Sequence, residues 1–321
     1  MSVSLGPRPF LLSIEAYLIS LDEYISMIQS SDIKSATSKI LQRKIGEIIN
    51  DFIEQKKTIK LDDVLLLIDE YYQNKILNLC TSNNKYTLAI EDISDFLNTY
   101  LATQCIVSLK KPCVFFPTAG LYRSWITGGE KGVLNYLLTN KALSVIYRKA
   151  VETSKIEATD YIFSIKSVWE KIVIPASFPA RKVLGFFYDF ALLRVLITTD
   201  NFELANIATA YIPKEELLIM VKGIKENKLE NLRIIDKYLP GFSETYLEIT
   251  KIAPKTTSLD ASLLLMLGYL TRNLFYDFNE SNLRKYLLLL REAFLLRLIY
   301  IVLLSGLDKT PIINVLTRRL I

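Results

Sequence analysis

One pattern returns three times along this chain, about 100 residues apart. Asp62, Leu65, Leu67 and Tyr71 form the first copy. Asp160, Phe163, Ile165 and Trp169 form the second, and Asp260, Leu263, Leu265 and Tyr269 the third. Each copy reads acid, apolar at +3 and +5, large aromatic at +9. Internal repetition constrains architecture more than any single residue, because each copy is one unit that cannot bury its apolar face alone. Around these copies the apolar residues fall at helical spacing: Leu65, Ile68, Tyr72, Ile76 and Leu79 in the first, Ile162, Ile165, Trp169 and Ile172 in the second, Leu263, Leu267, Leu270 and Leu274 in the third. With only 11 Gly and 10 Pro in 321 residues, half of them hydrophobic, the chain favours long helices over many short strands. The expected fold is all-α, built of three similar helical units.

The boundaries are read from turn formers. Pro112, Pro117, Gly120, Gly128, Gly129 and Gly132 gather around the end of the first unit, and Asn227-Lys228 and Pro240-Gly241 begin the last. The units are therefore 1–118, 119–222 and 223–321. In the first, the spacing predicts helices over Phe10 to Ile28 and over Ser38 to Glu54. Asp62, Asp160 and Asp260 are each expected near a first helical turn, where a carboxylate faces the partly positive end of the helix dipole. A second element follows in two units, Asp189-x-x-x-Leu193-Arg194 and Glu292-x-x-x-Leu296-Arg297. In the first unit, Glu91 to Lys111 keeps the apolar helix without that match. Acid and arginine five apart stand about 140° apart around a helix. Asp189, Arg194, Glu292 and Arg297 are thus expected to be structural, each finding a partner on a neighbouring element.

Several kinds of chemistry are disfavoured. There is no histidine, which removes the commonest metal ligand and the usual general base near neutrality. Cys80, Cys105 and Cys113 fit no zinc spacing and are expected as small buried hydrophobes in a reducing compartment. Gly128-Gly129-Glu130-Lys131-Gly132 lacks the spacing and the hydroxyl of a phosphate loop. Asp62-Asp63, Asp69-Glu70 and Glu215-Glu216 are expected on solvated helix faces. A net charge of +5 is mild for a chain of this length and carries no nucleic-acid footprint. The mean hydropathy of +0.25 is high. The longest uncharged stretch, Phe96 to Leu109, is nevertheless too short and too polar to span a bilayer. Arg291, Glu292 and Arg297 interrupt the apolar segment from Tyr286 to Leu304, which reads as a core helix. No catalytic residue, cofactor or metal site is expected, and neither is a signal peptide. These features leave open a free-standing helical-repeat scaffold that binds protein or RNA.

The text from Phe187 to Val221 resembles the C-type subunit of archaeal A-type and V-type rotary ATPases, which is related to the d-type subunit of the vacuolar enzyme. Asp189, Leu193-Arg194 and the Ile212-Pro213 turn carry the resemblance. Glu292, Leu296-Arg297, Ser305-Gly306-Leu307 and the Ile312, Ile313, Leu316 tail resemble that family's closing helices. The chain has Leu192 and Leu295 where the family often has Asn, and Lys214-Glu215 where it usually has a glycine pair. The resemblance implies three all-helical units in a funnel, with no residue performing chemistry. It also implies a socket for the D and F central-stalk subunits and a seat on the membrane proteolipid ring. The protein would then be peripheral, on the cytoplasmic face of the membrane, passing torque between ion flow and ATP synthesis.

Overall fold

The computed structural model describes residues 18–56, 58–79, 84–107, 115–117, 120–153, 166, 170–171, 175–198, 209–226, 228–275 and 277–318. Every extended regular element among them is helical. The helices are α1 (Leu21–Gln29), α2 (Ile33–Ser38), α3 (Lys44–Gln55), α4 (Leu61–Leu79), α5 (Lys85–Val107), α6 (Leu121–Thr139) and α7 (Lys141–Thr153). They continue as α8 (Phe178–Thr198), α9 (Lys214–Glu226), a 3-10 segment (Leu229–Lys237), α10 (Phe242–Ile249), α11 (Lys255–Leu265), α12 (Leu267–Thr271), α13 (Phe278–Ser305) and α14 (Thr310–Thr317).

The chain divides into two compact units. One joins residues 1–82 to 239–321, and the other is the continuous stretch 83–238. The boundaries read from the sequence at 118 and 222 both fall inside the second unit. In the discontinuous unit α4 packs along α13, which also meets α1, α11 and α12, while α14 packs on α1 and α10. In the continuous unit α5 meets α6, α7 and α8, and α8 meets α9.

Local chemistry explains where these helices begin. Ser20 opens α1 with a capping box: its hydroxyl accepts from the Glu23 N–H, and the Glu23 carboxylate accepts from the Ser20 N–H. Asn84 Oδ1 accepts from the N–H groups of Tyr86 and Thr87 at the start of α5. Asp277 accepts from the Glu280 N–H at the start of α13, and Gly306, at φ 63°, ends that helix. The middle of α8 is buried on every side, from Val183 through Leu196. A helix apolar all round belongs in an interior, and this one fills its unit's core.

The structure departs from several sequence expectations. The helix expected from Ser38 begins only at Lys44, because residues 39–43 turn so tightly that a Cβ on Gly46 would lie 2.0 Å from the Ile40 carbonyl oxygen. The third repeat copy is broken: α11 ends at Leu265 and α12 begins at Leu267. Asp260 is buried in the body of α11 and not in its first turn. Asp62 is exposed in the first turn of α4, so the two described leading acids occupy unlike environments. Asp160 and the rest of the second copy lie outside the described residues. Finally, Cys105 is buried but disulfide-bonded, so the cysteines are not all thiols.

Candidate functional site

A different recurrence emerges from the hydrogen bonds. Three long helices each turn a buried carboxylate towards another segment: Asp95 on α5, Asp189 on α8 and Glu292 on α13. Each accepts backbone N–H groups from the chain just as it enters another helix. Asp189 Oδ1 accepts from Ala210 at 2.7 Å, and Oδ2 accepts from Tyr211 and Ile212, each at 2.6 Å. Pro213 and α9 follow directly. Asp95 Oδ1 accepts from the Leu121 N–H at 2.9 Å, at the first residue of α6. Glu292 Oε2 accepts from the Ile19 N–H at 2.7 Å, two residues before α1.

Tyrosine hydroxyls complete two of these sites. Tyr136 donates to Asp95 Oδ2 and Tyr72 to Glu292 Oε1, both at 2.5 Å. An ionised carboxylate accepts such a bond more strongly than a neutral oxygen does. At the Asp95 site the approach is close enough to require glycine. Gly120 has φ 66°, and a Cβ there would stand 2.2 Å from Asp95 Oδ2.

The three carboxylates thus fasten helix entries to helix bodies. The third fastening joins residues 273 positions apart in the sequence. In the continuous unit α5 holds the entry of α6 and α8 that of α9, and in the discontinuous unit α13 holds that of α1.

The arginines five residues on have separate surroundings. Arg297 forms an ion pair with Asp69 of α4, and burial lowers its guanidinium to about 10, still a cation at neutral pH. Asp69 is 6% exposed, which corrects the expectation that Asp69-Glu70 is solvated. Arg194 is buried in α8, where its charge acts on the Tyr100 hydroxyl. Tyr100 stands five residues after Asp95, the position that arginine fills in the other two helices. Sequence reading missed Asp95 because the flanking Leu-Arg text is absent. The legible signal was an acid within an apolar helical stripe, about one repeat before Asp189.

Burial pushes the Asp95 and Asp189 carboxyls up to about 6, and their hydrogen-bond donors hold them from rising further. Burial raises Glu292 as well. One turn before Asp95, Glu91 is pushed to about 7 by burial and by the charges of Asp95 and Asp92. A carboxyl that titrates higher folded than unfolded makes the folded state bind protons more tightly. Stability from Asp95 and Asp189 therefore rises as pH falls through about 6 and levels off below their ordinary value of 3.8. Glu23 runs the other way. Burial opposes its charge, but donors on Arg43, Ser20 and Gln42 outweigh it and hold Glu23 at about 2. Its stabilisation is lost only as pH falls below about 4.5. Each of the two raised aspartates is worth about 1.4 kcal/mol per pH unit in its window. The expected result is a Tm several degrees higher at pH 5 than at pH 7.5. A melting series showing Tm flat or falling over that interval would contradict this assignment of charges.

Among the described residues no group of three or more acidic or cysteine side chains is arranged to hold a metal ion. No helix among them is long and apolar enough to cross a membrane. Comparison of the chain with protein-family models, with curated proteins and with solved structures gives no significant match.

Proposed function

We propose that this chain is a non-catalytic rotor subunit of a rotary A-type ATP synthase, of the funnel-shaped C type. In this reading three helical units form a funnel whose socket receives the D and F central-stalk subunits. Its other side rests on the proteolipid ring at the cytoplasmic face of the membrane. The chain passes torque between ion flow and the catalytic head, and no residue in it performs chemistry.

The observation that supports this reading most is the set of carboxylate fastenings at Asp95, Asp189 and Glu292. A part that transmits torque must resist shear between its helices. Buried hydrogen bonds at three helix entries supply that stiffness, since breaking one strands polar groups in the interior. The Glu292 fastening joins stretches far apart in sequence within one compact unit. The resemblance around Asp189, Leu193-Arg194 and Ile212-Pro213 lies on one of these fastenings.

A tagged pull-down from gently solubilised membranes tests it, with partners identified by mass. Co-recovery of proteolipid with stalk and catalytic-head subunits is the expected result. Recovery of soluble proteins or RNA alone overturns the proposal and leaves a helical-repeat scaffold. In the RNA case, binding should weaken steeply with salt.

A further inference from the structure

Helix α6 is built of two arms. Gly129 interrupts it with φ 56° and ψ −143°, a conformation that L side chains rarely adopt. The arms then fold back on each other, because a Cβ on Gly132 would lie 2.1 Å from the Ser124 carbonyl oxygen. In a straight helix residues eight apart stand about 12 Å from each other. The glycine-rich run that lacks the spacing of a phosphate loop thus makes the turn of a hairpin. Gly129 supplies the backbone conformation and Gly132 the close crossing. At the turn Thr127, Gly128, Glu130 and Lys131 are exposed.

At the other end one carboxylate pins both arms. Asp95 Oδ1 accepts from the N–H of Leu121, the first residue of the first arm. Asp95 Oδ2 accepts from the hydroxyl of Tyr136, near the end of the second. Two further acids stand on the same stretch of α5: Glu91, one turn earlier, and Asp92, whose charge acts on both Glu91 and Asp95. Against them α6 brings Tyr136, which burial and the Asp95 charge keep protonated, and Asn140, just before α7, is hydrogen-bonded to the Tyr136 hydroxyl. Among the described side chains no lysine or arginine of α6, α7 or α8 acts on Glu91 or Asp95. Arg194 of α8 acts on Tyr100, more than one turn further along α5. The closed hairpin therefore covers negative charges that no described cation offsets.

We infer that α6 is a proton-controlled latch: a hairpin hinged at Gly129, its arms pinned at Asp95 while the acids of α5 hold protons and freed to part as they lose them. Opening returns the acids to water, where Glu91 titrates at 4.5 and Asp95 at 3.8, whereas closure raises them to about 7 and about 6. Between those limits the closed hairpin binds more protons than the open one. Opening is thus favoured as pH rises from about 4 to about 7, and the effect levels off above that.

Amide exchange of the full chain from pH 5 to 8.5, with each rate divided by its intrinsic rate, reads the opening. Residues 121–139 should exchange ahead of α8 throughout, and their opening constant should rise about tenfold or more between pH 5 and pH 7.5. Glu91→Gln, which keeps the shape and removes the charge, should cut that rise several-fold. Gly129→Ala should raise opening about tenfold at every pH through backbone strain alone, since a Cβ there meets nothing within 4 Å. Gly128→Ala, in equally open space without the positive φ, should not raise it. Exchange of α6 only in step with α8, or the same pH dependence in Glu91→Gln as in the parent, overturns the latch. Equal opening in Gly129→Ala and Gly128→Ala overturns the hinge.

Discussion

Asp189→Ala is expected to lower the unfolding free energy by about 3–5 kcal/mol and Tm by about 5–10 °C. Asp189 is fully buried, and its two oxygens accept three consecutive backbone N–H groups, Ala210, Tyr211 and Ile212. Alanine leaves all three without that acceptor, and each stranded buried donor costs about 1–3 kcal/mol. One term works in the opposite direction. The carboxyl is already penalised by burial, which raises it to about 6. Removing it recovers that penalty, so the net loss stays below the sum of three stranded donors. Asp189→Asn separates the two terms. It removes the charge and keeps one oxygen, but it turns an NH2 towards N–H groups that need an acceptor. It should cost about half as much as alanine. Denaturant melts of both variants check the order, and an alanine variant within about 1 kcal/mol of the parent would remove Asp189 as a fastening residue.

The ease with which the fold can be read from sequence follows from where its causes lie. Helices such as α4 and α13 are legible because apolar spacing, the Asp277 cap and the Gly306 stop are all local. The break between Leu265 and Leu267 has no Pro to announce it, and the neighbouring Gly268 lies within the next helix. The freed Leu265 carbonyl accepts from Arg291 of α13, a partner 26 residues away that only packing supplies. The repeat shows the same division. Asp62, Asp160 and Asp260 share flanking text and form the visible pattern. Yet Asp62 is exposed at a helix start and Asp260 is buried within a helix body. Of the acids that share a structural task, Asp189 and Glu292 share the acid-x-x-x-Leu-Arg text, but Asp95 does not. Their task is defined by N–H groups on another segment, which no local window contains. Asp69 is misread for the same reason. An acid beside another acid on a helix reads as surface until the arginine that meets it is known to lie on α13.

That arginine carries the second large effect. Arg297→Leu should cost about 2–4 kcal/mol, and the double variant Asp69→Leu/Arg297→Leu should recover much of it. The pair joins α4 to α13, with the Asp69 side chain 8% exposed and the Arg297 side chain 22% exposed. Breaking a buried pair leaves an uncompensated charge, typically a loss of about 3–5 kcal/mol, and the partial exposure here reduces it. The exposure is asymmetric, and so is the expected cost. Leucine at 297 strands the more buried partner, Asp69. Leucine at 69 strands a guanidinium that keeps part of its hydration, and should cost about 1–2 kcal/mol. Two leucines leave no stranded charge and add apolar contact across the α4–α13 seam. A double-mutant cycle isolates the coupling, expected at about 1–3 kcal/mol. Amide exchange locates it: Arg297→Leu should speed exchange along α4 while leaving α8, which belongs to the other compact unit, unchanged. If both single variants melt with the parent, the contact contributes nothing and the α4–α13 seam is held by its apolar stripe alone. If the double variant is no better than Arg297→Leu, the loss comes from packing of the arginine stem and not from its charge.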